Sequence, residues 1–351
     1  MDSMLYKRNY SLDIARIVAT LTVVMIHCSA TFVVNYKQYT SEFIFGNLFD
    51  SISRIGVPLF LMISGSLFLD ECREVTLKNI LFKNIKSLAI ITITWASIYS
   101  AVYNVIFPLL IGKSINVKSV LRGIVNGHYH MWYLYMIIGL YIITPFLRKF
   151  VCKENKSMVL FFIIISFCFQ FLTPTINAVC ELGLNLSFIN RWLDKFHLDF
   201  FGGYITYFLV GWYITHIGIK KKWLTYVIYF MGAVALASIV LFVHYTGDYN
   251  TAYNNIGASV FVYSLSVFLA INNIKINFKE KTIRILAKLS KLTFGVYIIH
   301  IMVLTVFDKL LPYSEHSAIY IIFCFIFVVS VSFIGSYIVS KIPILKNIIR
   351  A

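Results

Sequence analysis

Apolar runs of about 20 residues, each long enough to cross a hydrocarbon core of ~30 Å as a helix, recur from one end of this 351-residue chain to the other. No other property of the sequence restricts its fold as tightly. Inside lipid every backbone N–H and C=O must find its partner within the protein, so such runs form helices or closed barrels, and their length argues for helices. They lie near 11–34, 52–69, 87–111, 129–147, 157–175, 200–217, 223–244, 252–271, 293–311 and 317–340. The expected fold is all-α, a polytopic transmembrane helical bundle of about ten spans forming one domain over 1–351. A content of 59% hydrophobic and 13% charged residues excludes an ordinary soluble domain. No cleavable signal peptide is expected, because the first apolar run is too long and no small-residue cleavage pattern follows it.

A net charge of +16 would suit nucleic acid, but its distribution points elsewhere. With the N-terminus inside, the inner segments collect Lys7, Arg8, Arg73, Lys78, Lys83, Lys86, Arg148, Lys149, Lys153, Lys156, Lys220, Lys221, Lys222, the basic run of 275–291, Lys341, Lys346 and Arg350. The positive-inside rule explains this excess, so both termini are expected in the cytoplasm and no nucleic-acid partner is needed. The connection at 272–292 reads as topological charge or as a basic amphipathic segment on anionic lipid. Six cysteines without CxxC spacing give no disulfide framework, and no metal site is expected.

The first run carries two ionisable residues, Arg16 and His27, which are costly in lipid and rarely kept without a use. Eleven steps at about 100° and 1.5 Å put both on one helix face, roughly 16 Å apart along the axis. Asp13, Thr20 and Thr31 complete this polar stripe. His27 is the candidate base, since a neutral imidazole can take a proton from an alcohol; taken alone it reads equally as an interhelical hydrogen-bonding residue. Arg16 can hold a phosphate or carboxylate, or simply pair with Asp13 one turn away. A Cys28–His27 dyad is disfavoured, because helix neighbours point about 100° apart.

Further candidates are spread along the chain. Arg54 reads as a snorkelling anchor or an anion ligand, while Ser64 and Gly65 read as close-packing residues. Lys83 and Lys86 lie three apart at an inner helix start, suited to a phosphate-rich ligand or to topology alone. His130, Trp132 and Tyr133 open the fourth span, where they read as an interfacial aromatic belt or as a surface for sugar rings. His300 sits in the middle of the ninth span.

Taken in order, Arg16-x10-His27, the run from Arg54 through VPLF to ISG, HMWYLYMIIGLYIITP, GGYITYFLVGWYI and LTFGVYIIH resemble the integral membrane acyltransferase family 3 over nearly the whole chain. The sequence looks closer to the O-acetyltransferase branch with the enterobacterial common antigen O-acetyltransferase and the membrane domain of vancomycin-resistance serine racemases. The resemblance implies transfer of an acyl group, usually acetyl, from acetyl-CoA or another acyl-CoA to a carbohydrate hydroxyl of the cell envelope. It also implies a multi-pass protein of the cytoplasmic membrane with no permanently bound cofactor, its partners being acyl-CoA, an envelope carbohydrate acceptor and membrane lipids. Arg16 and His27 would be the essential pair; Arg16, Lys83 and Lys86 would meet the CoA phosphates, and Arg54, His130, Trp132, Tyr133 and His300 would bind the acceptor. Pro58, Ile137 and Ile138 stand where another branch carries acids, and Lys83-x2-Lys86 where it has RxxR, so no acidic partner for the base carries over. From the residues alone, a transporter or flippase for a sugar, glycolipid or amino acid is the alternative, with the stripe lining a pathway.

Overall fold

The computed structural model describes residues 9–73, 76–198, 202–275, 278–311, 319–343 and 345–349, so Lys7, Arg8 and Arg350 lie outside it. Helix α1 is Tyr10–Asn35, started by the Asn9 side chain, which accepts from the Ser11 N–H at 3.0 Å. Thr40 likewise caps α2 (Ser41–Ser53), which runs through Arg54 and Ile55 into α3 (Gly56–Phe68) as one continuous apolar stretch. Then come α4 (Leu77–Leu110), α5 (Val117–Asn126), α6 (Trp132–Phe150), α7 (Lys156–Cys180) and α8 (Ser187–Asp194). The last five are α9 (Tyr204–Trp212), α10 (Lys222–Thr246), α11 (Ala258–Asn272), α12 (Glu280–Leu310) and α13 (Ile319–Lys341). Among the described residues there is no strand, so the protein is an all-α polytopic bundle.

Among the described residues, eight helical stretches are long and apolar enough to cross a membrane. The expected spans at 200–217 and 252–271 are shorter than that. Residues 200 and 201 lie outside the described set; α9 begins at Tyr204 and is prolonged by a π-helical turn, Tyr213–Ile217. The other is the 15-residue α11, about 22 Å of helix. The physical reason is visible for α9, in which every residue from Thr206 to Trp212 is buried. A helix walled in by protein on all sides need not match the thickness of the lipid.

The core is built around α1, which packs against α2, α3, α11, α12 and α13. Its buried face is Leu12, Ala15, Ala19, Val23, Val24, Cys28 and Phe32, with Asp13 and Thr20 enclosed among them. Helices α3 and α9 meet even more closely. A Cβ placed on Gly65 would overlap the Phe208 backbone, and one on Gly211 the Met62 backbone, so glycine at both positions sets the approach of the two helices. At the lysine-rich end, Arg148 of α6 donates to the carbonyls of Phe68 (2.7 Å), Asp70 (2.9 Å) and Arg73 (2.8 Å), tying α6 to the exit of α3. His216 reaches Asp70 at the same end, Nε2 to Oδ1 3.5 Å.

Candidate active site

Two broken elements and the continuous helix α12 bring side chains to His27. Gly127, at φ 69°, ends α5, and the next three residues form the short corner His128, Tyr129, His130 before α6. Two hydrogen bonds anchor this region. The Tyr297 hydroxyl of α12 donates to the His130 carbonyl at 2.7 Å, and the Tyr99 hydroxyl of α4 donates to the Ile298 carbonyl at 2.7 Å. Helix α4 contains a π-helical turn at Val102–Ile106, within which Tyr103 bonds Thr305 of α12 through their hydroxyls.

As a result four histidines gather at one place among the described residues. The ring of His27 lies 5.1 Å from that of His300, and His300 lies 5.4 Å from His130. His128 and His130 face each other Nδ1 to Nδ1 at 3.0 Å; when both rings are neutral one nitrogen must donate and the other accept, so the pair shares a single Nδ1 proton. Tyr99 stacks on His128 at 4.7 Å, and the Tyr129 hydroxyl stands 3.5 Å from His27 Nδ1. The tautomer of His300 follows from its neighbour. Its Nδ1 lies 2.6 Å from the Tyr297 carbonyl, which can only accept, so Nδ1 carries the proton and a neutral ring leaves a lone pair on Nε2. That Nε2 is buried with no hydrogen-bond partner, as is His130 Nε2. His300 is fully buried, whereas His27 is half-buried and so remains reachable.

Arg16 sits lower on the same face of α1, with its side chain 33% exposed and 3.8 Å from Asp13. Tyr133 and Tyr141 of α6 both meet Ser64 of α3 through their hydroxyls and lie within electrostatic reach of Arg16. Between that level and His27, Phe60, Tyr133 and Tyr297 pack ring to ring, with centroids 5.8 Å apart for Phe60–Tyr133 and 5.9 Å for Tyr133–Tyr297. One wall of hydroxyls and aromatic faces therefore runs from Arg16 to the histidine cluster.

The other sequence candidates fall in different places. His130 is buried at 3% exposure and belongs to the cluster, not to an interfacial belt. Trp132 faces outward, 40% exposed, against Tyr204 at 5.9 Å. Arg54 is paired with Asp50 and lies over the Tyr253 ring at 3.9 Å, yet its charge acts at His27 and its Nε is buried without a partner. Lys83 is exposed inside a π-helical turn, Ile80–Ile85, and Lys86, also exposed, follows it, both at the lysine-rich end. Cys28 turns away from His27 towards Cys324 of α13. Sequence reasoning missed His128, Tyr129, Tyr99, Tyr103 and Asp50. A signal existed for Asp50, four residues before Arg54 on a helix, but none for the tyrosines, whose meeting is purely tertiary.

A family model described as an acyltransferase domain matches residues 9–337. No curated protein matches the chain, and no solved structure does either.

Proposed function

Because the chain belongs to acyltransferase family 3 and is a multi-pass membrane acyltransferase, we propose that it moves an acetyl or other short acyl group from acyl-CoA to a hydroxyl of a cell-envelope carbohydrate. The observation that carries this reading is the pairing, on one face of α1, of a half-buried His27 among histidines and tyrosines with Arg16 about 16 Å below it along a polar and aromatic wall. That separation is comparable to the length of a pantetheine arm. Arg16, with Lys83 and Lys86 further out at the same end, would draw the CoA phosphates, while the thioester rises past Ser64 and Tyr133 to His27.

In the reaction, His27 takes the proton of the acceptor hydroxyl as its oxygen attacks the thioester carbonyl carbon. The tetrahedral intermediate collapses with cleavage of the carbon–sulfur bond. The departing thiolate recovers the proton from the imidazolium, leaving an ester on the sugar and free CoA thiol. Arg54, whose field reaches His27, would favour the negative charge that develops on the carbonyl oxygen. Holding both reactants beside one base supplies the orientation that a solution encounter lacks.

The test is thiol release by the purified protein given acetyl-CoA and glycans from its own cell envelope. His27→Ala should lower the rate by about a hundredfold or more, with loss of the acetyl mass from the recovered glycan. Wild-type protein that releases no His27-dependent thiol with any acyl-CoA would sink the proposal. A transporter would instead move its substrate unchanged in mass.

A further inference from the structure

Away from the histidine cluster, a concavity lies at the end of the bundle opposite the lysine-rich connections. It has a volume of about 470 Å³ and is lined by Phe169, Gln170, Thr173, Pro174, Leu193, Asp194, His197, Asn254 and Ile256. The size is that of a small-ligand site, enough for about one disaccharide. Its walls are held in place by specific contacts. Asn190 of α8 donates to the Thr173 carbonyl at 3.3 Å and to Asn177 Oδ1 at 2.6 Å, and the Ala258 N–H of α11 donates to Thr175 Oγ1 at 2.9 Å. A π-helical turn in α7, Phe167–Phe171, re-phases Phe169 and Gln170. His197 is held at φ 51°, a left-handed conformation uncommon outside glycine, with its N–H on the Asp194 carbonyl at 3.1 Å.

The chemistry of the lining is specific. Asp194, Asn254, Gln170, Thr173 and His197 offer donors and acceptors in several directions, while Phe169, Pro174, Leu193 and Ile256 offer apolar faces. A sugar ring presents the same mixture, with hydroxyls around its rim and C–H groups on its faces. Continuity with the histidine cluster supplies the second argument. Trp132, next but one to His130, lies 5.9 Å from Tyr204; Ile256, in the cavity wall, packs over Gly203; and the Tyr207 hydroxyl donates to the Asn255 carbonyl at 2.6 Å. One surface thus leads from His27 past an exposed indole to the cavity.

We infer that this cavity holds a sugar unit of the acceptor remote from the hydroxyl acylated at His27, so that the protein prefers an oligosaccharide or polymer to a single sugar. The inference rests on the acyl-transfer reading and adds where the remainder of the acceptor lies. The side of α8 bearing Phe188 and Trp192, each 57% exposed, with Arg191 and Lys195, suits the membrane interface and leaves Leu193 and Asp194 for the cavity.

The experiment uses full-length protein, acetyl-CoA, and glycans extracted from its own envelope and sorted into long and short fractions. For Asp194→Asn and His197→Gln, the ratio of kcat/KM on long over short acceptors is expected to fall about tenfold, through KM for the long fraction. The KM for acetyl-CoA and the thermal midpoint should stay at wild-type values, which excludes a folding defect. Equal losses on both fractions, or no change, would overturn the inference. If wild-type protein releases no His27-dependent thiol with any fraction, the acyl-transfer reading fails on its own. Calorimetric binding of the long fraction to the His27→Ala protein, with and without Asp194→Asn, then decides the cavity separately: binding that Asp194→Asn leaves intact, or absent altogether, overturns it.

Discussion

At the scale of the residue, two side chains next to His27 carry predictions. His300 has its Nδ1 proton committed to the Tyr297 carbonyl and its Nε2 lone pair enclosed near the His27 ring. Replacing it with alanine leaves a hole beside the base and removes that acceptor. His300→Ala is expected to lower kcat for thiol release by about tenfold to a hundredfold while the KM for acetyl-CoA changes little. Arg16→Lys keeps the charge but loses the planar fork that grips an anion at two points. The expected result is a rise of about tenfold in KM for acetyl-CoA with a smaller change in kcat, read from the same assay. Part of this site was legible in the sequence because Arg16 and His27 share one helix, whose period alone fixes their common face. Tyr99 and His128 could not be read that way; their rings meet at 4.7 Å only because α4 and the corner after Gly127 converge on α12.

At the scale of the element, the glycines of α3, α6 and α9 separate packing from simple helix preference. Gly65→Ala drives a methyl group into the Phe208 backbone, which cannot rotate away as a side chain would. A fall in thermal midpoint of several degrees, or loss of the protein from membranes, is expected. Gly139→Ala in α6 meets nothing within 4 Å and is exposed; it should raise the midpoint or leave it unchanged, because alanine is the better helix former by about 1 kcal/mol. Equal behaviour of the two variants in a thermal unfolding series would refute the close contact of α3 with α9. The sequence also divided α12 too finely. Its first turns came from the connection read at 272–292 as charge for topology or lipid, but Lys, Glu and Arg are good helix formers, and Glu280 bonds Arg284 one turn on at 2.5 Å.

At the scale of the whole molecule, the apolar runs gave the bundle and its order, while burial decided which runs needed full membrane length. Helix α9 illustrates the limit: its hydropathy is that of a span, but its surroundings are protein on every side, a property no single stretch of sequence carries. The arrangement of charge makes a further prediction. Cys72 is exposed beside Asp70 at the lysine-rich end, and Cys28 and Cys324 are buried. A membrane-impermeant thiol reagent should label Cys72 in inverted vesicles and spare it in intact cells; labelling from outside would invert the topology. The seam between α3 and α9 matters at this scale as well. Gly65 meets the Phe208 backbone and Gly211 the Met62 backbone, so the two contacts together define one register of α3 on α9 and, with it, the heights of Ser64 and Phe60 in the bundle. On the acyl-transfer reading this makes the seam a measuring stick. A donor whose arm is shortened or lengthened by even one helical turn, about 5 Å, would present its thioester to the aromatic wall instead of to the base.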